Sequence, residues 1–217
     1  MRLLEMMRCK ANKIYLKLQT IYPELVNQSF SKPPLKTLIG CILSQRTRDE
    51  NGNRAAERLF HRVNTLEEIL ALPENELYDL IRCSGFYKQK ATYIKGTCKI
   101  IVEKYSGLIP STRGELMDLP GVGPKTADIV LSYSFGKPAV AVDVHINRLA
   151  KRIGYGRPEE DFEEIKKAIE DAHKEHDLCF IDLALLEHGK QVCKARKPLC
   201  SKCVIYEECD RVGVIGG

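Results

Sequence analysis

Four cysteines near the carboxyl end constrain the fold of this chain more than any other feature. Cys193, Cys200, Cys203 and Cys209 follow the pattern C-x6-C-x2-C-x5-C. Thiolates this close in sequence can converge on one metal centre, and the spacing alone is compatible with an all-cysteine zinc site or an iron–sulfur cluster. The surrounding chain is therefore expected to fold so that one short segment presents four sulfur ligands.

The remaining cysteines argue against a secreted disulfide scaffold. The chain has 217 residues and nine cysteines, an odd number, and four of the nine already stand at metal-ligand spacing. Neither a signal peptide nor an apolar run of the ~18 residues that a membrane helix needs is apparent. We expect a cytoplasmic protein, associated with the nucleoid if prokaryotic, with reduced thiols. The other five cysteines are expected to be small buried hydrophobic residues: Cys9, Cys41, Cys83, Cys98 and Cys179.

The charge balance permits a polyanionic partner without identifying one. Lysine and arginine number 34 against 29 aspartates and glutamates, a formal net charge of +5. This bias is mild, and an ordinary basic protein that never meets nucleic acid can show it as well. Function must therefore be argued from motifs.

Helical periodicity dominates the chain, which is predicted to be all-α. In residues 35–43 apolar side chains recur at i, i+3, i+4, i+7 and i+8, typical of a buried helix face. Capping boxes begin at Thr65 and Thr112. Residues 138–142 alternate like a strand but have no strand partner, so we interpret them as an extended connector.

A glycine-rich hairpin lies between two of these predicted helices. Residues 119–127 read LPGVGPKTA, and Gly121 and Gly123 permit positive φ and close approach of the backbone to a ligand. The turn leads into a helix amino terminus, where N–H groups and the helix dipole attract a phosphate. This pattern predicts contact with a nucleic-acid backbone. A plain αα-turn is the alternative.

Lys125 and Asp143 are the candidate catalytic residues. Lys125 lies in the first turn of the helix after the hairpin, where the positive end of the dipole disfavours an ammonium and favours an amine nucleophile. Such an amine can form a Schiff base with a sugar carbon, although a phosphate-binding lysine is the competing interpretation. Asp143 opens the next helix, as an N-cap or as a carboxylate that stabilises a sugar cation or moves a proton.

Together these motifs resemble the helix-hairpin-helix and Gly/Pro–Asp signature of the endonuclease III family of DNA glycosylases. The resemblance rests on the hairpin at 119–127 and on residues 142–148, which read VDVHINR. Residues 43–49 (LSQRTRD) and 84–91 (SGFYKQKA) also match the family pattern. The cysteine spacing is similar to that of the [4Fe–4S] loop of the family. The likeness covers roughly residues 30–210.

This resemblance implies a two-lobed helix-hairpin-helix DNA glycosylase fold. Residues 29–141 would form a six-helix barrel domain that contains the hairpin. Residues 1–28 and 142–217 would form a discontinuous iron–sulfur domain, in which the four cysteines hold one [4Fe–4S] cluster. Zinc is the alternative on spacing alone.

The resemblance also implies a bifunctional DNA glycosylase/AP lyase of base excision repair. In the family, the lysine at the position of Lys125 attacks C1′ of the damaged nucleotide and displaces the base, and the aspartate at the position of Asp143 assists. The resulting Schiff base permits β-elimination, which nicks the strand on the 3′ side. We expect a monomer that acts on double-stranded DNA with damaged bases, chiefly oxidised pyrimidines, or abasic sites. The alternatives are a mismatch or other-lesion glycosylase and a non-catalytic DNA-binding module.

Several further residues are expected to contact DNA. In the family the loops matching Gln45–Arg46 and Gly85–Phe86 fill the hole left by an extruded base and wedge the duplex. Arg46 stands where relatives often carry glutamine, and Phe86 could instead be an ordinary core aromatic. The basic loop after Cys193 could be a solvated charge run. The predicted DNA-contact residues are Gln45, Arg46, Phe86, Gly121, Gly123, His145, Lys194, Arg196 and Lys197.

Overall fold

The computed structural model describes residues 2–26 and 32–214, and within these ranges it contains helices and no strand. The all-α prediction is confirmed. The helices are α1 (Arg2–Ile21), α2 (Pro23–Val26), α3 (Pro34–Ser44), α4 (Asp49–Arg62), α5 (Leu66–Ala71), α6 (Glu74–Ile81), α7 (Tyr87–Tyr105), α8 (Arg113–Met117), α9 (Pro124–Phe135), α10 (Val144–Ile153), α11 (Phe162–Ala172) and α12 (Leu178–Gln191). Short 3₁₀ turns span Arg82–Ser84 and Cys200–Lys202. None of the described helices is both long and apolar enough to span a membrane.

The chain divides into two compact units. One comprises Met1–Phe30 and Pro138–Gly217, and the other comprises Ser31–Lys137. The domain limits expected from the sequence, 29–141 and 1–28 with 142–217, stay a prediction, and the boundary between residues 28 and 29 lies outside the described residues.

The core of the Ser31–Lys137 unit is built around α3. Leu38, Ile39, Ile42 and Leu43 of the apolar stripe are fully buried, and α3 packs against α4, α7 and α9. A capping box closes the start of α5, because the Thr65 hydroxyl accepts from the Glu68 N–H and the Glu68 carboxylate accepts from the Thr65 N–H. The box predicted at Thr112 is only half formed, since the Glu115 carboxylate accepts from the Thr112 hydroxyl instead.

In the other unit, α1 packs against α11 and α12, and α10 packs against α11 and α12. Ala11, Ile14 and Leu18 form the fully buried face of α1. Cys9 lies on the opposite, solvent side of that helix and is exposed, so the prediction of burial was wrong for Cys9. Cys98 and Cys179 are buried as expected.

Carboxylates replace strand partners along the extended connector at residues 138–143. The Val140 N–H donates to Glu170 Oε1 at 3.0 Å, and the Ala141 N–H donates to Asp182 Oδ1 at 2.7 Å. Glu170 lies on α11 and Asp182 on α12, so two helices fix the segment that leads into Asp143. This pairing explains how a lone extended segment satisfies its backbone donors without a sheet.

Candidate functional site

Lys125 occupies the position at the hairpin that the sequence predicted. Gly123 is the N-cap of α9, Pro124 is its first residue and Lys125 its second. Proline suits this position because the first N–H of a helix has no intrahelical acceptor. The Lys125 side chain is exposed, so its amine is accessible to a large substrate.

The hairpin before Lys125 is held by close packing and by two side-chain hydrogen bonds. Gly121 has φ of 76°, and a Cβ at this position would lie 2.7 Å from the Tyr93 ring, so only glycine is accommodated. Thr97 Oγ1 donates to the Pro120 carbonyl at 2.9 Å, and Gln45 Nε2 donates to the Gly121 carbonyl at 2.7 Å. Gln45, predicted to contact DNA, therefore has its amide engaged with the hairpin.

A partly buried ion pair joins the two helices on either side of the hairpin. The Arg113 guanidinium, on α8, donates from Nε and Nη2 to the two carboxylate oxygens of Asp128 at 3.0 and 3.2 Å. Asp128 lies on α9, one turn after Lys125, and is 2% exposed. This bidentate contact fixes the orientation of the helix that carries the lysine.

Two adjoining turns present Arg46 and Phe86. Both residues have left-handed backbone conformations, with φ of 50° and 48°. Arg46 is exposed and Phe86 is 68% exposed, which excludes the alternative that Phe86 is a core aromatic. A Cβ built on Gly85 would lie 4.0 Å from Thr47 Oγ1, so the backbones of the two turns come close to each other.

Asp143 caps α10, as its sequence position suggested. Its Oδ1 accepts from the His145 N–H at 2.8 Å and from the Ile146 N–H at 2.9 Å. The residue is partly buried. Asp143 belongs to the unit formed by Met1–Phe30 and Pro138–Gly217, whereas Lys125 belongs to the other unit. The two hydrogen bonds of the cap fix the position of the Asp143 carboxylate. Both a structural and a catalytic role need the carboxylate to be held in this way.

Arginines on α10 bind the start of the cysteine segment. Arg148 Nε donates to the Cys193 carbonyl at 3.0 Å, while Nη2 donates to the Gly189 carbonyl at 2.7 Å and lies 3.3 Å from His145 Nδ1. One turn later, Arg152 Nη1 lies 3.3 Å from Cys193 Sγ and donates to the Lys194 carbonyl at 2.8 Å. His145, predicted to contact DNA, thus also belongs to this bonded group.

The structure brings the four predicted metal-ligating cysteines together around one pocket. Apolar side chains, including Leu149, Leu199 and Ile205, complete its lining. Four thiolates around a single zinc ion would each lie ~2.3 Å from the metal. Among the described residues no group of three or more Cys, His, Asp or Glu side chains is arranged to hold one ion. Four soft thiolates are ligands of the kind that hold zinc or an iron–sulfur cluster.

Hydrogen-bond donors lie close to two of these sulfurs. Burial raises the pKa of Tyr22 to about 12, so its hydroxyl is protonated and donates to His188 Nδ1 at 3.3 Å. Burial lowers the pKa of His188 to about 4, so the ring is neutral and carries its proton on Nε2, 3.2 Å from Cys203 Sγ. With Arg152 at Cys193, two of the four sulfurs have N–H donors.

The thiol acidities are consistent with a thiolate-bound metal centre. Burial raises the pKa of Cys203 to about 11 and also raises the pKa of Cys209, and neighbouring cysteine sulfurs contribute to both shifts. A metal centre binds thiolates, so it stabilises the deprotonated form that burial disfavours. The donor set therefore fits a metal centre held by four cysteines.

The basic loop between the first two cysteines is exposed along its length. Lys194, Arg196 and Lys197 all have exposed side chains. Lys197 has φ of 53°, a left-handed conformation. The loop is anchored by Arg152, which donates to the carbonyls of Lys194 and Ala195. Its charges are thus displayed from a fixed base, as a phosphate-binding surface requires.

Sequence reasoning missed the residues that support this site. Lys90 is 3% exposed and donates to the carbonyls of Leu43 and Ser84 at 2.8 and 2.7 Å. The carboxylate of Asp128 and the ring of His188 are likewise buried beside the candidate residues. No local pattern marks these residues, since each has a partner distant in the chain. Burial of a charged or titratable group is the signal that identifies them, and it requires the structure.

Comparison with known proteins agrees with this geometry. The family described as HhH-GPD superfamily base excision DNA repair protein matches residues 39–175. Endonuclease III of Thermotoga maritima is 43% identical over 181 residues, covering 82% of this chain and 83% of the relative.

Two solved structures are also similar. A trapped endonuclease III–DNA covalent intermediate with an estranged adenine has a TM-score of 0.83 and 32% identity, covering 94% of this chain and 96% of that one. A thermostable thymine-DNA glycosylase has a TM-score of 0.82 and 25% identity, covering 93% of this chain and 96% of that one. With the hairpin, Lys125, the Asp143 cap and the four-cysteine pocket in place, these likenesses show that the chain belongs to the endonuclease III family of base excision repair DNA glycosylases and AP lyases.

Proposed function

We propose that this protein removes oxidised pyrimidines from double-stranded DNA and cuts the strand 3′ to the resulting abasic site, with Lys125 as the nucleophile. The exposed lysine in the first turn of α9 is the observation that carries the proposal. Its amine attacks C1′, the bond from C1′ to the base breaks, and the resulting Schiff base permits β-elimination. A similar solved structure is a covalent endonuclease III–DNA intermediate, which requires such a nucleophile.

The Asp143 carboxylate acts on the sugar as it loses its base. A carboxylate stabilises positive charge that develops on the sugar, and it can accept or deliver a proton. Because the same side chain caps α10, substitution by alanine would confound capping with chemistry. Asparagine separates the two roles, since its carbonyl oxygen caps a helix as well as a carboxylate does but carries no charge.

Three surfaces bind DNA around the lesion. The amino terminus of α9, with Gly121 and Gly123, binds a phosphate through backbone N–H groups. Arg46 and Phe86 enter the duplex where the target nucleotide is extruded from the stack. The basic loop of Lys194, Arg196 and Lys197 and the nearby His145 contact further phosphates. One chain suffices for one lesion, so we propose a monomer as the active form.

The four cysteines hold one [4Fe–4S] cluster. The convergence of all four cysteines on one pocket, the N–H donors at two sulfurs and the unfavourable isolated thiolates support this assignment. When bound, the cluster joins the four cysteines covalently and so fixes the basic loop between the first two. Arg152 and His188 contribute by donating to the sulfurs of Cys193 and Cys203.

Borohydride trapping tests the nucleophile. Borohydride reduces a Schiff base to a stable amine, so the wild-type protein should become crosslinked to an abasic duplex. Lys125→Gln should bind the duplex but give no crosslink. Lys99→Gln, at a 67% exposed lysine on α7, is the matched control and should crosslink like the wild type. A crosslink that persists in Lys125→Gln would contradict the assignment.

The aspartate is tested by Asp143→Asn. We expect slower base release and slower trapping by at least about tenfold, with an unchanged thermal midpoint because the cap is retained. An equal loss of activity and of stability would show that Asp143 serves only as a cap.

A mismatch glycosylase is the second candidate, favoured by the likeness to a thymine-DNA glycosylase. Duplexes that each carry one modification separate the two candidates. Faster base release from an oxidised pyrimidine than from a G·T mismatch supports the proposed function, and the opposite order supports the second candidate.

A further inference from the structure

A single buried lysine connects the two turns that carry Arg46 and Phe86. Lys90 lies on α7 and is 3% exposed. Its Nζ donates to the Leu43 carbonyl at 2.8 Å and to the Ser84 carbonyl at 2.7 Å. Leu43 is in the last turn of α3, three residues before Arg46, and Ser84 ends a 3₁₀ turn two residues before Phe86. The same ammonium therefore caps the segment that leads into each turn.

This arrangement is energetically demanding, which argues for a specific role. A buried ammonium loses its hydration, and burial accordingly lowers the pKa of Lys90 to about 8. The carbonyls at two helix ends compensate, since both lie at negative dipole ends. Arg46 and Phe86 also hold left-handed backbone conformations, which are strained for residues with a side chain. Strained turns keep one geometry only where surrounding bonds fix it.

We propose that Lys90 is a positioning residue that sets the spacing of Arg46 and Phe86, so that the cation and the aromatic ring enter DNA together at a damaged nucleotide. The proposal rests on the proposed function, because that function assigns both turns to DNA. Lys90 is too deeply buried to touch DNA itself, so it acts only through these two side chains. The Lys90 N–H, which donates to the Phe86 carbonyl at 3.0 Å, adds a second bond to the turn that carries Phe86.

The chain supplies a matched control on the same helix. Lys95, also on α7, donates from Nζ to the carbonyls of Leu70 and Leu72 at 2.7 and 2.5 Å, and so caps the end of α5. The two lysines make the same kind of bond with similar geometry, but Lys95 bonds neither of the turns that carry Arg46 and Phe86. Lys90→Met and Lys95→Met each remove one ammonium while keeping a linear apolar side chain.

The experiment measures entry of the two side chains directly. The wild type, Lys90→Met, Lys95→Met and Lys90→Arg are titrated with a duplex that carries a stable abasic analogue and 2-aminopurine on the opposite strand. Emission of 2-aminopurine rises when its stacking is disrupted. We expect Lys90→Met to lose most of this rise and to bind the duplex about tenfold or more weakly. Lys95→Met should match the wild type, and Lys90→Arg should restore most of the signal.

Borohydride trapping on single-stranded abasic DNA separates this proposal from the proposed function. No wedge is needed on a single strand, so Lys90→Met should crosslink there within about twofold of the wild type. Absence of any wild-type crosslink to the abasic duplex would refute the proposed function, while the fluorescence comparison would still decide the role of Lys90.

Three results would overturn the proposal: no fluorescence rise in the wild type, a normal rise in Lys90→Met, or equal losses in Lys90→Met and Lys95→Met. If Lys90→Met does not fold, as judged by its thermal unfolding, then Lys90→Gln replaces it. Glutamine keeps N–H donors without the charge, and the same outcomes apply to it.

Discussion

Lowering the pH should destabilise this protein through His173, a fully buried residue just after α11. Its Nε2 lies 2.7 Å from the Tyr155 hydroxyl, and its Nδ1 lies 3.1 Å from His176 Nδ1. Burial raises the pKa of Tyr155, so that hydroxyl is protonated and donates to Nε2. The proton of His173 is then on Nδ1 and is donated to His176, whose Nε2 lies 3.2 Å from Asn12 Oδ1. This chain of bonds requires a neutral His173.

The size of the effect follows from the pKa difference between the folded and unfolded states. Burial, together with the nearby His176, lowers the pKa of His173 from 6.5 to about 3. As the pH falls below 6.5 the unfolded chain binds a proton that the folded protein does not, so stability is lost over the window from 6.5 down to about 3. Between pH 7 and pH 5 the loss from His173 is about 2 kcal/mol. For a chain of this size that corresponds to roughly 4–8 °C in the thermal midpoint.

Thermal unfolding at pH 7 and pH 5, at one scan rate, measures the loss of stability that His173 causes. His173→Gln removes the titrating ring, so its midpoint should fall by roughly 4–8 °C less than that of the wild type on acidification. His61→Gln, at an exposed histidine, is the control and should fall as the wild type does. An equal fall in His173→Gln and the wild type would refute the reasoning, whatever the absolute stability of the variant.

Three further predictions concern the parts of the candidate site. Arg113→Met removes the guanidinium from the buried Asp128 carboxylate and should lower the free energy of unfolding by about 3 kcal/mol, measured by urea denaturation. A loss below about 1 kcal/mol would show that the Arg113–Asp128 ion pair does not hold the two helices together. Cys200→Ser should abolish the visible absorbance of thiolate-bound iron and lower the thermal midpoint, because a bound metal centre contributes folding free energy; unchanged absorbance would exclude this ligand. Arg196→Gln and Lys197→Gln should each reduce the slope of log affinity against log salt by about 1; slopes equal to that of the wild type would place both side chains off the DNA.

Local sequence patterns predicted those features that depend on neighbours in the chain. The apolar spacing of α3, the Thr65 capping box and the place of Lys125 in the first turn of α9 each follow from a few adjacent residues. The prediction that Cys9 is buried was wrong because composition does not reveal which side of α1 faces the core. The half-formed box at Thr112 shows that a matching pattern does not settle which atom accepts a hydrogen bond.

The remaining features depend on residues far apart in the chain. Ala141 and Asp182 are 41 positions apart, and Lys90 and Leu43 are 47 apart. Nothing near Lys90 in the sequence marks it as buried, because the preceding residues Lys88 and Gln89 are polar and exposed. These contacts form only in the folded protein, between residues that are distant in the chain. A local sequence pattern therefore cannot predict them.

Contacts along α10 explain how a cysteine segment remote from Lys125 in sequence can matter for chemistry. The first residue before α10 is Asp143, and near the other end of the helix Arg152 binds Cys193 and its neighbours. The carboxyl end of the cysteine segment also contacts α10, since the Asp210 N–H donates to the carbonyl of Ile153, the last residue of that helix. Both ends of the segment are thus bonded to the helix that Asp143 caps. An ordered cysteine segment holds that helix, and with it the proposed catalytic carboxylate, so its contribution to base release can be mechanical even though its sulfurs touch no substrate.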